Sequence, residues 1–213
     1  MERKPEWLRV RYNQKAVAEV AQLLGELRLN TVCKEANCPN LGECYRKHTA
    51  TFMILGSQCT RNCRFCSVTP GHPQPPDPEE PENVAAAAKK LGLRHVVLTC
   101  PTRDDLPDGG AEQFAQTVRA IRRACPGATV ETLISDMQMN TAALDAVIEA
   151  RPEVLNHNVE TVRALQKAVR PQADYERSLA VLRYCKEKDA ALLTKTGFMV
   201  GLGETEEQIG ELM

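Results

Sequence analysis

From residue 50 to residue 196 short apolar runs alternate with amphipathic stretches, and Gly or Pro punctuates the joins. The runs read as strands at 50–56 (ATFMILG), 95–99 (HVVLT), 129–134 (TVETLI), 153–156 (EVLN) and 191–196 (ALLTKT). Between them, apolar residues recur at helical spacing over 82–91, 111–124, 141–149, 160–168 and 174–187. Phe114, Val118, Ile121 and Cys125 share one helix face, and Leu144, Val147 and Ile148 another. Strands alternating with helices of this length mean βαβ units and a parallel sheet, either open or part of a barrel. In both cases ligands gather at the C-terminal ends of the strands. The polar clusters TRDDLPDGG, NHNVE and TKTG all follow strand ends.

Two flanking stretches differ. Residues 14–28 carry Val17, Val20, Leu23, Leu24 and Leu27 at helical spacing. Residues 70–81 hold six prolines and predict an extended, irregular segment that forms no ladder. Near the end, Thr205 and Gln208 form a capping box, with Ile209, Leu212 and Met213 on the apolar side. The sequence stops after about two turns of that helix, so the expectation is a chain lacking a C-terminal portion.

The cysteines carry the chemistry. Six of nine fall between residues 33 and 66 as two triplets: Cys33, Cys38, Cys44, then Cys59, Cys63, Cys66. An odd total argues against a closed disulfide framework. The N-terminus has no apolar stretch of a secretory signal and no run approaches a spanning helix, so a reducing cytoplasm is the expected compartment. With 27 basic and 28 acidic residues, the balance points to neither nucleic acid nor membrane as partner. Clustered thiols in that setting hold metal. The second triplet is C-x3-C-x2-C and directly follows the first predicted strand. Three thiolates suit three irons of a [4Fe–4S] cube and leave the fourth open. Arg61 and Arg64, inside the loop, are placed to offset the cluster's negative charge. A zinc site completed by His72 is the competing reading, and C-x3-C-x2-C is poor zinc spacing. Inert buried cysteines are a third.

The motif, its place after the first strand, and Phe65 before its last cysteine resemble the radical S-adenosylmethionine superfamily. The resemblance implies an open iron chelated by S-adenosylmethionine, and a 5′-deoxyadenosyl radical that takes hydrogen from an unactivated carbon. Both triplets together with KPEWLR at 4–9, CPNLGEC at 38–44, RDDLPDGG at 103–110, NHNVET at 156–161 and MVGLGET at 199–205 are similar to the lipoyl synthases over essentially the whole chain.

That likeness implies a partial (β/α) TIM-type barrel over 50–213, ending after about five strands, behind an extension at 1–49 that carries an auxiliary cluster. It implies two [4Fe–4S] clusters and S-adenosylmethionine. It also implies sulfur insertion at C6 and C8 of an octanoyl-lysine, the sulfur coming from the auxiliary cluster on Cys33, Cys38 and Cys44. The implied partners are an octanoylated lipoyl carrier protein (a dehydrogenase-complex acyltransferase domain or the glycine cleavage H protein) and a low-potential donor such as ferredoxin or flavodoxin.

The chain departs from the family pattern in two places. The Arg-Ser-Ser-Tyr stretch whose serine completes the auxiliary cluster is missing, so that site is expected to be labile. Cys100 stands where the family carries serine, and reads as packing or as an adventitious thiol near the site. The alternatives to an active enzyme are a fragment keeping only the radical cluster and a zinc-stabilised binding module.

Among other polar positions, Asn156, Asn158 and Glu160 end the fourth strand and Arg170 precedes a proline. They are candidates to bind the ribose or methionine moiety or to position the acyl-lysine; helix capping is the plainer role for Asn158 and Glu160. His157 alternates away from the two asparagines and reads as structural. Arg103, Asp104 and Asp105 read as a solvated loop or a contact to cofactor or partner, and Lys195 as a weaker strand-end candidate.

Overall fold

The computed structural model describes residues 14–32 and 49–213. The first cysteine triplet, Cys33, Cys38 and Cys44, and the side chain of Val17 lie outside the described residues. Helix α1 (Gln14–Glu26) leads to β1 (Asn30–Thr31), which runs antiparallel to β2 (Thr49–Met53). Two short strands follow, β3 (Gln58–Cys59) and β4 (Thr69–Pro70), and then α2 (Glu80–Lys90). Strands β5 (His95–Thr99), β6 (Thr129–Leu133), β7 (Val154–Asn156) and β8 (Leu193–Lys195) alternate with α3 (Ala111–Ala124), α4 (Thr141–Glu149), α5 (Gln166–Val169) and α6 (Tyr175–Lys188). A short α7 (Glu206–Leu212) ends the chain. The sheet order is β1-β2-β5-β6-β7-β8, with every pair after the first parallel. Five parallel strands in sequential order, with helices as crossovers, make the parallel sheet that the alternation predicted, in the order of the partial barrel that the family resemblance implied.

Register sorts the side chains. Phe52, Leu98, Thr132 and Leu155 pair across the sheet and are fully buried. Phe52, Leu98 and Leu155 join Val84, Phe114, Val118, Ile121, Leu144 and Val147 from the helices in one core. Each such apolar side chain contributes about 1.5–3 kcal/mol on burial. One residue further on, Met53, Thr99, Leu133, Asn156 and Lys195 form the next row. By the two-residue period this row faces the opposite way, toward the barrel interior.

Local chemistry sets the ends of the helices. Asn140 caps α4 by accepting from Ala143 N at 3.2 Å, and Asp174 caps α6 by accepting from Arg177 N at 2.7 Å. At the start of α3, Gly110 has φ +92°, and a Cβ there would lie 2.2 Å from Leu55 Cδ1. Only glycine satisfies both the conformation and the contact.

Leu55 itself sits in the turn that launches the second cysteine triplet, with φ 67°. Its N–H donates to the buried Glu80 carboxylate at 2.9 and 3.1 Å. Its carbonyl accepts from Arg103 Nη1 at 3.0 Å. A left-handed leucine costs about 1–3 kcal/mol, and these bonds hold it there.

Several expectations are revised. Helix α2 begins at Glu80 rather than 82, because Pro81 is tolerated in a first turn, where no N–H is needed. Residues 160–168 form no continuous helix: a 3-10 turn at Arg163–Leu165 precedes the one-turn α5. The proline-rich segment does contribute a ladder, since Thr69–Pro70 pairs with Gln58–Cys59. The capping box of Thr205 and Gln208 is formed, yet α7 buries no residue.

Candidate active site

At the C-terminal end of the strands lies a cavity of about 270 Å³. Met53, Thr99 and Leu133 of the inner row line it, as do the loops that follow those strands. Cys59, Cys63 and Cys66, all free thiols, line it. So do His157, Asn158, Glu160 and Arg170, and Arg64 N of the cysteine loop donates to Val169 O at 2.9 Å beside Arg170. Residues about a hundred positions apart meet because β2 and β7 both end at this rim.

The cysteine loop is held from beneath. Arg61 is 4 % exposed and donates to Asp104 at 2.7 and 2.8 Å and to Asp136 at 2.7 and 2.9 Å. Asp136 accepts from Arg177 as well, at 3.0 Å. Burial alone would lower the Arg61 pKa, but hydrogen bonds and charge from Asp104 and Asp136 outweigh it, and the net shift is upward. Burial alone would raise Asp136, yet Arg61 and Arg177 bring it down to about 2. The expectation that Arg61 offsets a cluster's charge is therefore corrected: two aspartates already neutralise it. Of Arg103, Asp104 and Asp105, the two aspartates are exposed as a solvated loop requires, but Arg103 is not. Arg103 is 1 % exposed and forks onto Asp105, while Asp104 serves Arg61.

The thiols themselves receive backbone donors. Cys59 Sγ accepts from Thr102 N at 3.2 Å and Arg61 N at 3.4 Å, and Cys66 Sγ from Val68 N at 3.4 Å. Burial pushes the Cys63 thiol up, opposed by a hydrogen bond and charge from Arg170. Arg170 also donates to the carbonyls of Asn158 and Val159 at 3.2 and 3.0 Å. Its Nε is buried without a partner.

Asn158 lies so near Gly197 that a Cβ there would sit 3.1 Å from its Oδ1. Glu160, with φ 68°, bridges to Phe198 and is pushed up by burial despite its bond from Asn158. Of the four polar candidates, Asn158, Glu160 and Arg170 line the cavity. Asn156 does not: it lies below the rim and donates to the buried Glu131 at 3.2 Å. Lys195 is bound to the same carboxylate at 2.8 Å.

His157 was misplaced by strand alternation. The strand ends at Asn156, so the two-residue period no longer applies, and His157 lines the cavity at 1 % exposure. Its Nδ1 lies 2.9 Å from the Ile134 carbonyl, which can only accept, so Nδ1 carries the proton. Nε2 is then a buried lone pair without a partner. Burial, reinforced by Arg170, lowers its pKa from 6.5 to about 4.

The sign of the resulting pH effect is definite. Above pH 6.5 the ring is neutral in folded and unfolded chains alike. As pH falls from 6.5 to 4, only the unfolded chain takes up the proton, so stability drops, by about 3 kcal/mol in all. The buried carboxyls Glu80 and Glu160, both raised, act the other way on acidification. The measurement is therefore a difference: urea unfolding of the parent and of His157→Asn at pH 4.5 and 7.5. The parent should lose more on acidification, and equal losses would remove His157 as the cause.

The donor set fits an iron–sulfur cluster and a charged, polar cofactor. Three thiols line the cavity, and its lining also carries a buried cationic N–H of Arg170 and a buried lone pair of His157, both unpartnered. Among the described residues no three His, Cys, Asp or Glu side chains sit close enough together for a single metal ion. His72 is not in the cavity wall.

Comparison with known proteins agrees. Residues 53–213 match the model of the Radical SAM superfamily. The lipoyl synthase of Caldanaerobacter subterraneus subsp. tengcongensis is 58 % identical over 211 residues, which are 99 % of this chain and 74 % of that protein. The lipoyl synthase of Geobacter sulfurreducens is 56 % identical over 99 % of this chain and 69 % of its own length. That of Rubrobacter xylanophilus is 56 % identical, with the chain covering 66 % of it. The chain thus spans about two thirds to three quarters of these relatives. In fold, methylornithine synthase matches 93 % of the chain and 55 % of its own with a TM-score of 0.58 at 15 % identity. The [FeFe]-hydrogenase maturase HydG matches 92 % of the chain and 49 % of its own, with a TM-score of 0.60 at 15 % identity.

Proposed function

Because the chain belongs to the radical S-adenosylmethionine superfamily and, within it, to the lipoyl synthases, we propose that it inserts two sulfur atoms, at C6 and C8, into an octanoyl chain borne on a lysine of a carrier protein. The observation that carries this reading is the meeting of Cys59, Cys63 and Cys66 with Asn158, Glu160 and Arg170 around one cavity. When bound, a [4Fe–4S] cluster on the three cysteines supplies the electron that cleaves the sulfonium of S-adenosylmethionine, yielding a radical strong enough to take hydrogen from an unactivated carbon.

The chain's own part is to bind, orient and keep dry. Arg170 offers an unpartnered Nε–H to a carboxylate. Asn158 and Glu160 supply the acceptors and donors that ribose hydroxyls need, on backbone fixed by Phe198 and Gly197. Met53, Leu133 and Ile134 give the cavity apolar walls, which keep water from quenching a radical. Cys33, Cys38 and Cys44 are assigned the second cluster and the supply of sulfur. The substrate is an octanoylated carrier, either an acyltransferase domain of a dehydrogenase complex or a glycine cleavage H protein. The electron donor is of ferredoxin or flavodoxin type.

The test is anaerobic turnover of an octanoyl-lysine peptide with S-adenosylmethionine and reductant, read by mass spectrometry. A product heavier by two sulfur atoms, less the hydrogens they replace, is expected. Brown, cluster-loaded protein that leaves the peptide unchanged sinks the activity; protein that takes up zinc and stays colourless sinks the whole reading.

A further inference from the structure

The turn that carries Arg170 into the cavity wall has neighbours that serve another surface. Gln166, Lys167 and Pro171 line a separate open hollow of about 380 Å³, together with Arg163, Tyr175 and Glu176, and the two hollows share no residue. Arg163 lies over the Tyr175 ring, 4.5 Å from its centroid, and pairs with Glu176. Arg64, Arg163 and Lys167 are exposed. Among the described residues, neither the Arg64 nor the Lys167 side chain has an ion-pair partner. This basic face is fastened to the cysteine loop: Arg64 N donates to Val169 O at 2.9 Å, and Asn62 N to Gln172 Oε1 at 2.6 Å. The carboxylates that follow β5, Asp104 and Asp105, are already taken up by Arg61 and Arg103. A separate observation points to an occupant. Gln166 is 6 % exposed, and neither its Nε2 nor its Oε1 has a partner. An orphaned buried amide is destabilising, and a peptide group brought from outside supplies both the acceptor and the donor that it lacks.

We infer that the face made by Arg64, Arg163, Gln166 and Lys167 is where the electron donor docks, and that this donor is an acidic, low-potential flavodoxin. The inference rests on the cluster reading above. An electron needs nearness to the cysteines, not entry to the cavity, and this face is bonded to their loop without sharing a residue with the cavity wall. An octanoyl chain has to pass through the cavity mouth, so its carrier belongs there instead. The chain as a whole is nearly neutral, with 27 basic and 28 acidic residues, so a local group of unpaired cations decides where an acidic protein settles. The step moves one electron. The flavin of the donor is oxidised by one electron and the cluster is reduced by one, with no bond made or broken.

The test uses the full chain, reconstituted anaerobically, and flavodoxin hydroquinone in excess. Bleaching of the cluster absorbance is followed by stopped flow in the parent, in Lys167→Glu, in the double variant Arg163→Glu with Lys167→Glu, and in Arg119→Glu, which reverses an exposed charge on α3. With flavodoxin, the double variant should be slowed about tenfold at low salt, and added salt should slow the parent more steeply than the variant. Lys167→Glu should fall between the two, and Arg119→Glu should match the parent. Dithionite should bleach all four proteins alike. Calorimetric titration of the cluster-free proteins with flavodoxin should show the same order of affinities. Equal flavodoxin rates and affinities in parent and double variant overturn the inference. So does a double variant that accepts electrons normally yet turns over an octanoylated carrier protein poorly with dithionite, because the face then belongs to the carrier. A parent that dithionite does not bleach points instead to failure of the cluster reading, and the titration of cluster-free protein still decides the docking.

Discussion

Changing Cys59, Cys63 or Cys66 singly to alanine is expected to abolish formation of the sulfur-bearing product while removing about four irons per chain. The reason is the stoichiometry of the donor set. With two thiolates a cube loses its hold. The fold should survive, because Cys66 is exposed and Cys59 and Cys63 are only partly buried. Arg61 and Leu55 keep their own bonds in any case. Far-ultraviolet circular dichroism and urea midpoints of the cluster-free proteins should match the parent, while product falls below detection. A variant retaining full iron and turnover would show that the assigned trio is not the ligand set.

A loss of about 3–5 kcal/mol in stability is expected from Asp136→Ala. Asp136 is wholly buried and accepts from both Arg61 and Arg177; without it the guanidinium of Arg61, 3 % exposed, keeps only Asp104. A cation stranded in the interior costs far more than a surface pair contributes. The pair Lys188–Asp145, with side chains 45 % and 26 % exposed, is the control, and Lys188→Ala should cost less than about 1 kcal/mol. The double change Arg61→Met with Asp136→Leu should recover much of the loss, since it removes both charges. The Asp136 carboxylate is held near 2, so its contribution is full above pH 3.8 and disappears as pH falls through about 2. Urea unfolding of the four proteins at neutral pH reads these differences, and an Asp136→Ala protein as stable as the parent would show the network to be energetically idle.

How far the sequence could be read depended on where the partners lie. Helices at 111–124 and 141–149 were legible to the residue, because Pro126 and Asn140 mark their ends locally and their apolar stripes are regular. The cysteine loop and the polar rim were legible because strand ends gather ligands in this class of fold. Arg61 and Arg103 were misjudged for the opposite reason. The partners of Arg61 are 43 and 75 positions away, and the carbonyl that Arg103 holds is 48 positions back. No local pattern distinguishes such an arginine from a solvated one. His157 was lost to a rule applied one residue past the strand that justified it, and Asn156 to the reverse error. It sits on the inner row, as alternation requires, but beneath the rim, where Glu131 claims it. The shortened helix near 163–169 shows that helical spacing alone does not ensure a helix where tertiary bonds prefer a turn.

The double grip on Leu55 has a mechanical consequence. Glu80 from α2 and Arg103 from the loop after β5 hold the root of the cysteine loop, and neither belongs to the wall of the cavity. A foundation built from parts that never meet the cargo does not sag when the cargo leaves. Filling and emptying the loop are then repeated cycles of one standing framework, and repair of a damaged centre requires no refolding of the chain that houses it.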